Sequence, residues 1–354
     1  MAGRYDGTVR LYRLRLSSAV TRSRKARHGS PAVSPDAVMI TTRRMTGVSV
    51  DVPRRTARVE AGVRWGQVVD EAAKVGLAPL AGSSPQVGVV GYTLGGGVSV
   101  ALGRAHGYAA DHVTAADVVT ADGVPRHVTP DSDPDLFFAL LGGKGNVGVV
   151  TALEFGLFPL TELYAGFLQF AGEHARAVLE AYRSLTATEP DELTSSVVLL
   201  HAPDLPFVPE FMRGRLSVFV RVAYLATDAE GEALLAPLRA VAPALVNVTQ
   251  LGGALGRKPE RPNAVRRDVA FAMFALTVVP PGATLDTDVA AELTGRLTRP
   301  DSRKHPGYLS PADATVEGVR LAYDEATYAR LRAAKSTWDP GNMFRWNHNI
   351  PPAA

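Results

Sequence analysis

The residues of this chain best placed to hold a ligand are glycines. Between Gly82 and Gly107 the sequence reads GSSPQVGVVGYTLGGGVSVALGRAHG, with glycine at Gly82, Gly88, Gly91, Gly95, Gly96, Gly97, Gly103 and Gly107. Glycine loses backbone entropy on folding and offers no side chain to pack, so clustering needs a reason: backbone at positive φ, or close approach by something large. Val87, Val89, Val90, Leu94, Val98 and Val100 interleave these glycines, which is not the composition of a solvated loop. Two more glycine turns, TADG at Thr120–Gly123 and GGKGNVG at Gly142–Gly148, fall between apolar runs downstream. The pattern reads as a buried cofactor cradle, with a surface loop as the alternative. It is neither the dinucleotide fingerprint, which needs G-x-G-x-x-G directly after a strand, nor a P-loop, since no Gly-Lys is followed by Ser or Thr.

Other chemistries are excluded or disfavoured. With no cysteine there is no disulfide, thiolate nucleophile, thiolate-held zinc or iron–sulfur cluster. None of the eight histidines pairs as His-x-His or His-x-x-x-His, which argues against a metal hydrolase. The 354 residues are 46% hydrophobic and 21% charged, a globular composition with room for two domains of roughly 100–200 residues each. No apolar run approaches the roughly 18 residues that span a bilayer, so no membrane partner is expected. Net charge is +3, but Arg4, Arg10, Arg13, Arg15, Arg22, Arg24, Lys25 and Arg27 face only Asp6 before His28. Such an arm could bind nucleic acid or anionic lipid, or be an unstructured leader. With no basic–aromatic motif following it, the leader reading is preferred and no nucleic-acid partner is expected. The start lacks a secretory pattern, so the expected location is cytoplasmic.

The elements that must position the glycines are legible from residue 36 onward. Val38–Thr42 reads as a short strand, and Thr56–Val63 alternates, with Ala57, Val59, Ala61 and Val63 on one face. Trp65–Val75 has helical spacing and Gly76 is placed to stop it. Val113–Thr120 and Val124–Thr129 form a hairpin around Asp122-Gly123. Asp133 caps a short helix that begins at Pro134, and Val147–Phe158 is a long strand. Beyond Leu160 the spacing predicts helices at His174–Thr186, Glu230–Val241 and Asp286–Leu297, and strands at Ser195–Leu200, Arg215–Leu225, Val246–Leu251 and Val269–Val279. That mixture predicts an antiparallel sheet with helices on one face. A last helix at Glu325–Ser336 has Asp324 as its N-cap, and Trp338-Asp339-Pro340-Gly341-Asn342 ends it.

Four segments in this order, Gly82–Gly97, Asp111-His112-Val113, Asp135–Gly148 (DLFFALLGGKGNVG) and Trp338–Pro351 (WDPGNMFRWNHNIP), resemble the FAD-dependent oxidoreductases of the vanillyl-alcohol oxidase (PCMH-type) fold, in the berberine-bridge-enzyme-like branch. The resemblance runs from about residue 26 to the end. It implies an α+β, two-domain flavoprotein fold: a basic leader over 1–35, an FAD domain over 36–159, a substrate domain with an antiparallel sheet over 160–320, and a tail over 321–354 returning to the flavin. Glycine turns suit FAD because their N–H groups reach a pyrophosphate without intervening side chains. By position, the resemblance assigns cofactor contacts to Gly82, Ser83, Ser84, Gly88, Gly91, Tyr92, Thr93, Gly95, Gly96, Gly97, Asp111, Gly148 and Val149, and to Asn347 and Asn349 of the tail. Ser84 stands near the place of a flavin-bonded cysteine in some members, and that link is impossible here. His28, in Ala26-Arg27-His28-Gly29, stands where the family can join a histidine to the flavin; a covalent link and a plain loop histidine are both open.

Two departures matter. Members carry a βαβ unit before the histidine loop, whereas only 27 residues precede His28. Tyr308-Leu309-Ser310-Pro311 replaces a Tyr-x-Asn-aromatic segment, leaving Tyr308 as the candidate catalytic base, with Tyr224 as another phenol and a merely packed tyrosine as the alternative. A phenol near pKa 10 needs a positive charge or hydrogen bond to act as a base. The implied activity is FAD-dependent oxidation of a small-molecule alcohol, sugar or amine C–H by hydride transfer, with O2 or another acceptor reoxidising the flavin. The alternative is a truncated relative that holds no FAD. Lys258–Asn263 (KPERPN) reads as a solvated turn or a mobile loop near the pocket.

Overall fold

A computed structural model describes residues 20–23, 37–206, 208, 210, 212–239, 248–250, 253–273, 298 and 302–353. The strands β1 (Val20–Ser23) and β2 (Ala37–Ile40) pair in parallel. Part of the stretch expected to be an unpatterned leader is therefore a strand. Its four residues, Val20-Thr21-Arg22-Ser23, carry no apolar period, which is why sequence reading passes over it.

A five-stranded antiparallel sheet follows, in the order β3 (Val48–Asp51), β4 (Thr56–Glu60), β8 (Val149–Gly156), β6 (Val113–Val119), β7 (Pro125–Val128). The alternation in β4 works as written: Ala57 and Val59 are fully buried while Arg58 reaches across to Asp117 at 2.6 Å. Helix α1 (Trp65–Ala73) buries Trp65, Val68 and Ala72, and Gly76 lies at φ +69 just beyond it. A two-residue strand, β5 (Leu77–Ala78), pairs with β9 (Phe158–Pro159). The glycine stretch then folds into two short helices, α2 (Val89–Thr93) and α3 (Gly103–His106). Helix α4 (Pro134–Leu140) starts on Pro134 and buries Leu136 to Leu140.

The second sheet is also antiparallel, in the order β10 (Tyr164–Ala171), β12 (Leu216–Tyr224), β11 (Leu193–His201), β13 (Val248–Gln250), β14 (Phe271–Met273). Helices α5 (Ala175–Thr186) and α6 (Asp228–Arg239) cover one face. Val178, Tyr182, Leu235 and Leu238 pack there against Val197, Val218, Val220 and Val222. With a period of two, Phe219 and Arg221 of β12 take the opposite face, where Arg221 pairs with Phe167 on one side and Ser196 on the other. The α+β architecture with helices on one face of the second sheet is as expected. The predicted helix at Asp286–Leu297 and the part of the predicted strand beyond Met273 lie outside the described residues.

The chain then returns. Helices α7 (Val316–Arg320) and α8 (Glu325–Trp338) lead to the tail. Asp324 caps α8 as predicted, its carboxylate accepting the Thr327 N–H at 2.8 Å. Helix α8 packs on α4, where Arg330 lies over the Phe138 ring at 3.9 Å and pairs with Asp135 at 2.8 Å. Leu331 and Tyr328 thereby join the core of the first sheet.

A buried ion pair joins the glycine stretch to the second sheet. Arg104 of α3, 4% exposed, lies 2.9 Å from Glu189 and donates to the carbonyls of Pro190 and Leu193 at 2.7 Å each. Glu189 also accepts from Ser195 Oγ at 3.1 Å, and Ser195 Oγ shares a hydrogen bond with the Tyr182 hydroxyl at 3.0 Å. Burial pushes the Glu189 carboxyl up to about 7, against the opposing charge of Arg104. Removing one partner of a buried pair leaves the other charge stranded. Arg104→Met is expected to cost about 3–5 kcal/mol in urea unfolding, and Arg104→Met with Glu189→Leu to recover most of it.

Candidate active site

Three stretches far apart in sequence meet at the glycines. The Leu94 carbonyl accepts from Gly142 N at 2.9 Å and from Lys144 N at 3.3 Å, which seats the GGKGN turn against the end of α2. Asn146, 3% exposed, then binds the tail. Its Nδ2 donates to the carbonyls of Gly143 at 2.8 Å and His348 at 3.2 Å, and its Oδ1 accepts from Ile350 N at 3.0 Å. Lys335 of α8, fully buried, donates to the Asn146 carbonyl at 2.7 Å and to Asp339 at 2.6 Å. Burial lowers the Lys335 pKa and Asp339 opposes that shift. Asp339 in turn accepts from the backbone N–H groups of Met343 and Phe344, at 2.7 and 2.9 Å. The third stretch, 305–310, is drawn in by a 2.8 Å hydrogen bond between His348 Nε2 and the Ser310 carbonyl, and Gly307 packs on Gly95.

The glycines have concrete tasks, and some differ from an open phosphate cradle. Gly97 lies at φ +75, and a Cβ there would fall 2.6 Å from the Tyr92 ring and 2.9 Å from Ala109; at Gly82 it would fall 2.7 Å from Tyr92. Gly96 lies at φ +106 against Val265. The carbonyls of Gly96 and Gly97 accept from Ala110 and Ala109. Gly148 has no room because Val118 and Val119 of β6 press on it, and Val149 beside it opens β8. Gly88 precedes α2 as its N-cap and Gly91 is exposed within it. Ser83 is exposed, and Ser84 Oγ accepts from Gln86 N at 3.3 Å.

Asp111 is committed to the protein. One oxygen accepts from Tyr108 N at 2.9 Å; the other takes Asn263 Nδ2 at 2.8 Å and an ion pair with Arg267. It latches the turn after the glycines to segment 263–267. The Lys258–Asn263 stretch, expected as a solvated turn or pocket loop, supplies Lys258 to Arg261 to the wall of a 570 Å³ cavity with His106, His112 and Phe158. Tyr308 is not on that wall.

Tyr308 is half-buried, and its phenol is electrostatically coupled to Tyr92, Tyr108 and Arg221. Arg221 lies on the open face of the second sheet, donates to Ser196 Oγ at 3.2 Å, and its charge is felt at Tyr308. Burial pushes the hydroxyls of Tyr92 and Tyr108 well above the usual phenol range, which leaves them protonated and unfit as bases. Tyr224, the other candidate phenol, packs with the core under the helices. His28 lies outside the described residues.

Several enclosed polar atoms have no partner among the described residues: Thr93 Oγ1, His305 Nε2, Trp346 Nε1, Asn347 Oδ1 and Asn349 Oδ1. Asn347 is otherwise tied to the Gly145 carbonyl at 3.3 Å. Buried polar atoms are ordinarily satisfied, so orphans on the glycine stretch, the 305–310 segment and the tail, which meet through the contacts above, fit a large, polar group bound between them. The residues present therefore suit FAD, and the two tail asparagines assigned by resemblance are among them. Sequence reading missed Lys144, His305, Asn146 and Arg221. A lysine inside a glycine run was the one available signal; the others reveal themselves only through tertiary contact.

Comparison with known proteins agrees with this geometry. The family described as FAD binding domain matches residues 15–129, and the family described as Berberine and berberine like matches residues 314–351. (R)-6-hydroxynicotine oxidase of Paenarthrobacter nicotinovorans is 28% identical, over 91% of this chain and 83% of that protein. An FAD-linked oxidoreductase of Aspergillus fumigatus is 38% identical, but over only 44% of this chain and 34% of that protein. The crystal structure of 6-hydroxy-D-nicotine oxidase from Arthrobacter nicotinovorans superposes with a TM-score of 0.75 at 25% identity, covering 94% of this chain and 87% of the other. A chitooligosaccharide oxidase shares the fold, with a TM-score of 0.76 at 20% identity over 95% and 87% of the two chains. The chain belongs to the FAD-linked oxidoreductases of the PCMH type that carry a berberine-bridge-like C-terminal segment. The first family match begins inside the basic stretch, in keeping with β1.

Asn146→Ala is expected to release the tail. Losing three buried hydrogen bonds should cost roughly 1–3 kcal/mol, read in urea unfolding, and should speed amide exchange at Ile350 selectively.

Proposed function

We propose that this protein is an FAD-dependent oxidase acting on an alcohol, sugar or amine C–H, with O2 as the acceptor. The observation that carries the reading is the set of orphaned buried polar atoms, Thr93 Oγ1 in the glycine stretch, His305 Nε2, and Trp346 Nε1, Asn347 Oδ1 and Asn349 Oδ1 in the tail, on segments that hydrogen bonds and packing draw together. The division into an FAD domain over 36–159 and a substrate domain over 160–320 belongs to the same proposal. So does a histidyl attachment at His28.

FAD, when bound, supplies the hydride acceptor and the electron path to O2. The residues that would hold it are the turns at Gly95–Gly97 and Gly142–Asn146, Thr93, and the tail asparagines Asn347 and Asn349. Tyr308 takes the proton from the substrate hydroxyl or amine, and the charge on Arg221 favours the phenolate that this proton transfer requires. Phe167 and Phe219, on the face that carries Arg221, meet edge to face with centroids 5.4 Å apart and give the substrate an aromatic wall. The ordering role falls to Asn146 and Lys335, which fix the tail before any substrate arrives.

The test is the visible spectrum of the purified protein before and after acid precipitation. Two flavin bands are expected, and colour held in the pellet would assign a covalent link. A colourless protein that takes up no added FAD would overturn the reading. Tyr308→Phe is expected to keep its flavin content while turnover falls about 10²–10⁴-fold, and an unchanged turnover would remove Tyr308 as the base.

A further inference from the structure

Lys144 occupies a position that local geometry reserves for glycine. It lies at φ +59 between Gly143 and Gly145, in the left-handed region. A side chain there costs about 1 kcal/mol or more relative to glycine, and Gly142, at φ +106, is the other residue of the turn at positive φ. Lys144 has no ion-pair partner among the described residues. The acid whose charge reaches it, Asp313, is already bound to Lys304 and to the N–H and hydroxyl of Ser310. Lys144 is half-buried, and burial lowers its pKa to about 8, with Asp313 opposing the shift.

His305 faces the same charge. Its Nδ1 accepts the Gly307 N–H at 3.1 Å, so in the neutral ring Nε2 carries the proton. The residue is 5% exposed, and Nε2 has no partner among the described residues. The ring stacks on Tyr108 at 5.4 Å and stands 5.5 Å from Tyr308. Burial, and then the charges of Lys144, Arg267 and Arg266, push its pKa down to about 3. Arg267 and Arg266 are ion-paired with Asp111 and Asp268; Lys144 has no ion pair among the described residues and feels only the shared charge of Asp313. An enclosed N–H that feels the charge of an ammonium with no ion pair of its own lacks one thing, an acceptor that carries negative charge.

We propose that Lys144 and His305 together form a two-donor site for an anionic acceptor on the group bound in this cleft, an inference that rests on the flavin reading above. FAD offers that chemistry in two places, the pyrophosphate and the isoalloxazine ring in its reduced, anionic state. Lys144 is retained at a strained position because glycine could not provide the charge.

Lys144→Gly separates this role from folding, since it relaxes the backbone while deleting the ammonium. The apoprotein of this variant is expected to melt at or above the wild-type temperature. If the pyrophosphate is the acceptor, its FAD dissociation constant rises at least tenfold while the potential of the bound flavin holds. If the reduced ring is the acceptor, the potential falls by about 30 mV or more, the two-electron equivalent of tenfold, while affinity holds. Lys144→Arg should restore whichever quantity moved, and His305→Phe, which keeps the stack on Tyr108, should move the same one. A Lys144→Gly variant with wild-type affinity and potential overturns the proposal. So does a fall in its apoprotein melting temperature, which would make the lysine a structural residue. Wild-type protein that takes up no FAD fails the flavin reading itself, a result distinct from either of these.

Discussion

Asn146 is enclosed, its side-chain amide engaged by Gly143, His348 and Ile350 and its main-chain carbonyl by Lys335. Few residue types could take its place. Its side chain must donate twice and accept once within a turn built from glycines, and an uncompensated donor or acceptor at that depth would cost as much as the bonds contribute. The candidate cleft exists because this amide clamps the tail onto the GGKGN turn. The buried Lys335–Asp339 pair extends the clamp by holding the chain reversal at Met343 and Phe344.

The second sheet is attached by different physics. Its helices cover one face with ordinary apolar packing, which leaves Phe167, Phe219 and Arg221 on the other. Beside the apolar contacts of Ala272 and Leu225 with the first unit, a charge fixes its position: Arg104, at the end of the glycine stretch, reaches Glu189 and two carbonyls. A buried ion pair is a weak source of stability relative to an apolar contact, but it tolerates little displacement. That suits a joint between two sheets that must keep a fixed relation.

Much of the architecture was legible in the sequence because it rests on local rules. The alternation at Ala57 and Val59, the Asp122-Gly123 hairpin, Pro134 at a helix start, Gly76 after α1 and the Asp324 cap all report on backbone preferences within a few residues. The strand β1 escaped because its four residues have no apolar period. At the cleft, the glycine clusters stood out by type and the tail asparagines only through the family resemblance, whereas the reasons for individual glycines did not. Gly82 and Gly97 make room for Tyr92, and Gly148 makes room for β6, which no spacing rule could reveal. Lys144, His305 and Arg221 come from three distant segments, and their significance lies in mutual electrostatics and an unpaired N–H, properties that arise only once the chain is folded.

The clamp between Gly145 and Asn347 spans 202 residues of sequence. At about 5–20 residues per second, the usual pace of synthesis, the glycine turn emerges some 10–40 s before the asparagines that close over it. Throughout that interval the first sheet lacks α8 and the tail, and the apolar ridge of α4 lies open. The cleft is therefore assembled late, as one of the last acts of folding, and the order of the chain itself delays ligand capture until both sheets have been made.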